Sequence, residues 1–107
     1  METKLLTVDP MKDTEIVAAL GSATRIEILN LLRLKGPLNV NDIAAHMKLP
    51  QSTAAINVKS LEKAGLIETH TMKATKGNQK ICSSVYGEIL IRFENRSTNL
   101  REDIVTV

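Results

Sequence analysis

The chain has 107 residues, a formal net charge of +2 and two aromatic side chains, Tyr86 and Phe93. A chain of this size buries roughly 60 to 65 per cent of its unfolded surface, enough for one core of Leu, Ile, Val, Ala and Met, and it has no set of aromatic platforms on which unpaired bases could stack. Cys82 is the single cysteine, which excludes an internal disulfide and, with His46 and His70 far apart in sequence, leaves no recognisable zinc-ligand spacing; with no run of about 18 apolar residues, a cytoplasmic protein without cofactor or membrane partner is expected.

The first helix is expected near residues 10–20, with Asp9 as N-cap, Pro10 at the first helical position and Gly21 as the stop. The second, 22–35, opens on Ser22 and ends at Gly36. Its Ile26, Ile28, Leu29, Leu31, Leu32 and Leu34 cover nearly the whole circumference, which assigns it to the centre of the domain. Asn39 with Asp42 three residues on makes a capping-box arrangement for a helix over 40–47. A link spanning Lys48 to Gln51 then leads into a helix over 51–64, closed by Gly65. Ala54, Val58 and Leu61 form the buried stripe of that helix at i, i+4 and i+7; Ser52, Ala55, Ile56, Lys59 and Lys63 form the opposite face.

Two β-rich segments, 66–72 and 79–86, flank the turn-prone "KATKGN" and predict a hairpin with lysines at its tip and flank. "EILIRFE" reads as a further strand. A domain covering 1–95 is then followed, over 96–107, by a linker or the start of another β-rich segment, "DIVTV", which has nothing obvious to pair with.

Charge is unevenly distributed. Residues 48–80 hold six lysines against Glu62 and Glu68, while 1–47 and 81–107 each carry one net negative charge. Helix, short turn, helix and basic hairpin is the order of a winged helix-turn-helix, an α+β fold. The tight turn lets the second helix protrude, and small side chains on the protruding face suit close approach to base edges in a major groove.

The stretches "ALGSATRIEILNLL" and "LNVNDIAAHMKLPQSTAAINVKSLEKAGLIE" resemble the ArsR-type winged-helix transcriptional regulators of bacteria and archaea, through the "TR.EIL" of the central helix and the "K.LE.AGLI" ending the recognition helix. The resemblance covers about residues 15–82 and implies a dimeric repressor or activator that binds double-stranded DNA. Metal-sensing members carry a cysteine pair where this chain has Asn39 and Asn41, and two amides cannot replace thiolates toward soft metals. DNA affinity is therefore expected not to respond to metal. A looser resemblance is to longer regulators in which a β-rich domain follows the winged helix; an unknown small-molecule effector would then act through that C-terminal domain.

The candidate DNA-contacting residues follow. Gln51, Ser52 and Thr53 can meet phosphates or base edges, though they also suit an ordinary helix start. Ala55 and Ile56 can meet thymine methyls, against the reading of Ile56 as a stray apolar residue or a protein contact. Lys59, Lys73, Lys76 and Lys80 are candidate phosphate contacts that would otherwise be a solvated face. Arg25 reaches a phosphate in the family's manner or pairs with a nearby acid. His46 and His70 read as surface residues, and Cys82 as a small buried hydrophobe. The competing function is a protein–protein interaction or dimerisation module without DNA binding. No Gly-rich phosphate loop or triad-like set of residues points to an enzyme.

Overall fold

The computed structural model describes residues 4–75 and 77–94. Its elements, in chain order, are β1 (Leu5–Val8), α1 (Thr14–Leu20), α2 (Ala23–Lys35), β2 (Leu38–Asn39), α3 (Val40–Met47), α4 (Gln51–Lys63), β3 (Ile67–Ala74), β4 (Gly77–Ser84) and β5 (Glu88–Ile91). This is the winged helix-turn-helix order, with two strands more than the sequence suggests.

The first helix starts later than expected. Asp9 does act as a cap, but of a separate turn: its Oδ1 accepts from Met11 N–H at 3.0 Å, its carbonyl accepts from Asp13 N–H at 2.7 Å, and its own N–H donates to Asp13 Oδ2 at 2.9 Å. With residues 9–13 closed on themselves, α1 begins only at Thr14, with Asp13 as N-cap.

In α2, Ser22 Oγ accepts from Arg25 N–H at 3.3 Å and caps the helix, while Gly36, at φ 86°, ends it. Ile28 and Leu32 are fully enclosed, and Leu29 and Leu31 pack against the same core. Ile26 and Leu34 lie exposed. The helix is therefore central on one side only, and its nearly continuous apolar surface overstates its burial.

The turn between α3 and α4 is three residues, Lys48 to Pro50. Lys48 takes the left-handed conformation (φ 57°, ψ 45°), its N–H donates to the Ala45 carbonyl at 3.3 Å, and Leu49 N–H donates to the Ala44 carbonyl at 2.9 Å. That pair of bonds is a Schellman close. It recurs after α4, where Gly65 (φ 80°) donates to the Glu62 carbonyl at 2.9 Å and Leu66 to the Leu61 carbonyl at 3.0 Å.

Ala54, Val58 and Leu61 turn inward from α4 onto Ile28, Leu32, Ile43, Leu66 and Cys82, which form one core. The wing strands are longer than the sequence indicates. β3 and β4 pair antiparallel from Ile67↔Ser84 to Ala74↔Gly77, so most of "KATKGN" is strand. The two-residue β2 adds to the other edge of β4, through Leu38↔Cys82 and Asn39↔Ile81, giving the order β2-β4-β3.

The segments "TKLLTV" and "EILIRFE" supply β1 and β5, which pair in parallel as a separate two-stranded sheet, from Leu5↔Glu88 to Val8↔Ile91. The stretch "DIVTV" and the whole of 96–107 lie outside the described residues.

Candidate nucleic-acid interface

With Ala54, Val58 and Leu61 facing the core, the 3.6-residue period of α4 puts Gln51, Ser52, Ala55, Ile56 and Lys59 on its outer side, and all five are exposed. Ile56 is 66% accessible. Thr53 is half-buried at the flank, with its carbonyl accepting from Asn57 Nδ2 at 2.9 Å. Besides Lys59, no charged side chain stands on this outward stripe from Gln51 to Lys59, so a polyanion meets no carboxylate there.

The wing carries Lys73 on β3 and Lys80 on β4, both exposed. Lys76 lies outside the described residues. Lys80 Nζ is 2.9 Å from Glu62 Oε1, and the other oxygen of Glu62 accepts a hydrogen bond from Thr69 Oγ1. One carboxylate thus ties the last turns of α4 to both wing strands. The Thr69 hydroxyl, and then the Lys80 ammonium, hold the Glu62 carboxyl below the usual carboxylate range, with Lys59 adding a smaller pull.

The Arg25 side chain is directed at protein partners. Its Nε donates to the Ala19 carbonyl at 2.8 Å, one terminal nitrogen donates to the Ala18 carbonyl at 3.1 Å, and the other donates to Asn57 Oδ1 at 3.2 Å. The guanidinium therefore covers the last carbonyls of α1, where a cation is favoured, and holds Asn57 of α4 from the side. Asn57, Glu62 and Thr69 escape a reading of the sequence because each faces partners many positions away.

Asn39 has a structural task that a metal-ligand pattern would not suggest. Its Oδ1 accepts from Asp42 N–H at 2.7 Å and caps α3, and its Nδ2 donates to Gln79 Oε1 on the wing at 3.4 Å. Among the described residues no group of three or more His, Cys, Asp or Glu is placed to hold a metal ion. His46 and His70 are exposed. Cys82 is fully enclosed, and burial pushes its thiol up. Among the described residues no helix is long and apolar enough to cross a membrane.

Comparison with known proteins bears on the fold that holds these residues. An uncharacterised HTH-type transcriptional regulator of Methanocaldococcus jannaschii is 39% identical over 57 residues, which span 53% of this chain and 64% of that protein. The solution structure of the homodimeric winged helix-turn-helix DNA-binding domain (fragment 1–100) of a possible ArsR-family transcriptional regulator from Mycobacterium bovis superposes with a TM-score of 0.60 at 25% identity, over 70% of this chain and 66% of that one. Reduced HlyU of Vibrio cholerae shares the fold, with a TM-score of 0.59 at 22% identity over 72% of this chain and 76% of its own. Residues 22–69, from the cap of α2 into β3, match the model of the bacterial regulatory protein, arsR family. Residues 22–69 are thus similar to the helix-turn-helix of the arsR family, and they are set in a winged-helix domain.

Proposed function

We propose that the chain is the DNA-reading part of a transcription regulator: a homodimer that binds specific double-stranded sites with α4 in the major groove and the wing against the phosphate backbone. The outward face of α4 carries this reading. A helix fixed to the core by Ala54, Val58 and Leu61 presents Gln51, Ser52, Ala55, Ile56 and Lys59 without an acid among them, a surface suited to base edges and thymine methyls. Lys59 and Lys73 are the backbone contacts in this proposal, joined by Lys76 and by Lys80 when Glu62 releases it. Arg25 acts through Asn57, by setting the pose of α4. The dimer is proposed by analogy with the Mycobacterium bovis domain, and a cytoplasmic location goes with it.

Binding measured by fluorescence anisotropy on random duplex, and on DNA from upstream of the gene, tests this reading across a salt series. Replacing Lys73 and Lys76 by Ala should weaken binding to every duplex alike and lower the slope of log K against log salt by roughly 1 per lost contact. Gln51→Ala or Thr53→Ala should cost on the order of 1 to 3 kcal/mol on the preferred site and little on random DNA. If all these variants bind duplex as the parent does, the surface is not a DNA reader and the protein-docking alternative replaces it.

A further inference from the structure

Beside the first turn of α4 lies a notch of about 260 Å³ bounded by α3, α4 and β4. Its polar lining is five carboxamides, Asn39, Asn41, Gln51, Asn78 and Gln79, with Lys80 at the edge and no acidic side chain among its lining residues. Gln51 and Ala55 belong both to the notch and to the outward stripe of α4, so any duplex lying along that stripe also passes the notch.

Two of the amides are not free to point either way. A backbone N–H can only donate, so the 2.7 Å bond from Asp42 N–H fixes Asn39 with its oxygen toward α3 and its NH2 toward the wing. That NH2 donates to Gln79 Oε1 at 3.4 Å, which takes up the oxygen of Gln79 and leaves its own NH2 as the end of the relay. The side chains of Asn41, Gln51 and Asn78 make no hydrogen bond among the described residues. The Lys80 ammonium is already held by Glu62 at 2.9 Å. The notch thus offers neutral donors, the Gln79 amide oriented by the relay, with its one cation compensated.

From this arrangement we infer that the notch receives a backbone phosphate of the bound duplex through neutral carboxamide donors, with Gln79 as the principal contact and Asn39 as the residue that positions it. The inference rests on the DNA-binding reading and adds a second kind of phosphate contact to it. A lysine contact releases counterions and steepens the salt dependence; a neutral N–H adds affinity and leaves the slope unchanged. Wing lysines and notch amides are therefore distinguishable in one experiment.

The test is a salt series on a labelled random-sequence duplex with the full chain and four variants. Gln79→Met keeps the length and removes the donor. It should weaken binding by about 3- to 10-fold at every salt concentration, the size of one neutral hydrogen bond, with the slope of the parent. Asn39→Ser retains an N-cap for α3 but breaks the relay, and should shift the line in parallel while melting near the parent temperature. Gln79→Glu, an acceptor where a donor is needed, should lose more than Gln79→Met. Lys73→Ala, in contrast, should lower the slope by about 1. If Gln79→Met and Asn39→Ser bind as the parent while Lys73→Ala loses slope, the notch takes no phosphate and the DNA reading stands without it. A Gln79→Met loss confined to one sequence would mean base readout and would overturn the phosphate assignment. A parent that binds no duplex at low salt would remove both readings.

Discussion

Glu62 faces Thr69, Lys80 and Lys59, and these groups, the Thr69 hydrogen bond foremost, hold its pKa below the ordinary 4.5 against the opposing effect of burial. A carboxyl that titrates lower in the folded state stabilises the fold fully above its unfolded pKa and stops doing so as the pH falls through its folded value. Glu62→Gln should therefore melt below the parent at neutral pH, and the two melting curves should converge on acidification below about pH 4. The same substitution removes the 2.9 Å partner of Lys80, so on random duplex the salt slope should steepen by up to about 1. Thermal melts across pH and anisotropy across salt check the two effects separately; a constant melting difference at all pH values would show that the Glu62 charge is not what ties α4 to the wing. Arg25 offers a sharper distinction. Lysine keeps the charge but cannot reproduce three planar bonds to Ala18, Ala19 and Asn57, so Arg25→Lys should cost about 1 to 2 kcal/mol of stability and lower affinity with the salt slope unchanged. A slope reduced by about 1 for Arg25→Ala would instead mark a direct phosphate contact.

Two helices of this domain end in the same hydrogen-bond motif, one with Lys48 and one with Gly65 in the left-handed position. The β-carbon makes that conformation unfavourable for lysine by roughly 1 to 2 kcal/mol, partly offset by the freedom glycine loses on folding. Lys48→Gly should then stabilise by about 0.5 to 1 kcal/mol, and Gly65→Ala should destabilise by about 1 kcal/mol. Urea midpoints with unchanged m-values would establish both; a Lys48→Gly variant less stable than the parent would mean that the lysine side chain itself holds the turn. These closures show what was legible in the sequence. Gly65, the spacing of Ala54, Val58 and Leu61, and the Asn39 cap are local signals, and α3 and α4 lie where they indicate. The two-residue β2 carries no period of its own and exists only through Ile81 and Cys82, about forty positions away. The pairing of β1 with β5 spans nearly the whole described chain, and the late start of α1 depends on the Asp9 and Asp13 side chains choosing each other over the helix. At the interface, the residue types on α4 could be read from periodicity, whereas the Arg25–Asn57 and Asn39–Gln79 links could not, because nothing local indicates a partner 32 or 40 positions away.

At the scale of the molecule, the described residues form two sheets of unequal security. The wing sheet is backed by the helical core, with Ile67 and Cys82 enclosed. Among the described residues the β1–β5 sheet has two strands, an arrangement marginal in water without further packing, and while Val8 is enclosed, Leu5 is 52%, Ile91 52% and Phe93 67% exposed. Strands so small do not ordinarily leave this much apolar surface to solvent, and in the proposed homodimer a second copy covers it, in a contact that two-fold symmetry repeats on both chains. Ile91 can be altered with little effect on the core. Ile91→Lys should therefore keep the far-ultraviolet spectrum of the parent while sedimenting as a monomer at micromolar concentrations where the parent is a dimer. On DNA the consequence follows from counting phosphates: one protomer neutralises half as many as two, so the slope of log K against log salt should fall to about half. Specific affinity for a site with two half-sites should fall further than affinity for random duplex, since only the dimer reads both halves at a fixed spacing. A parent that sediments as a monomer at high micromolar concentration would overturn the dimer. A dimeric Ile91→Lys variant with the parental slope would move the interface away from this sheet, leaving α1, where Val17 is also exposed, as the next surface to charge.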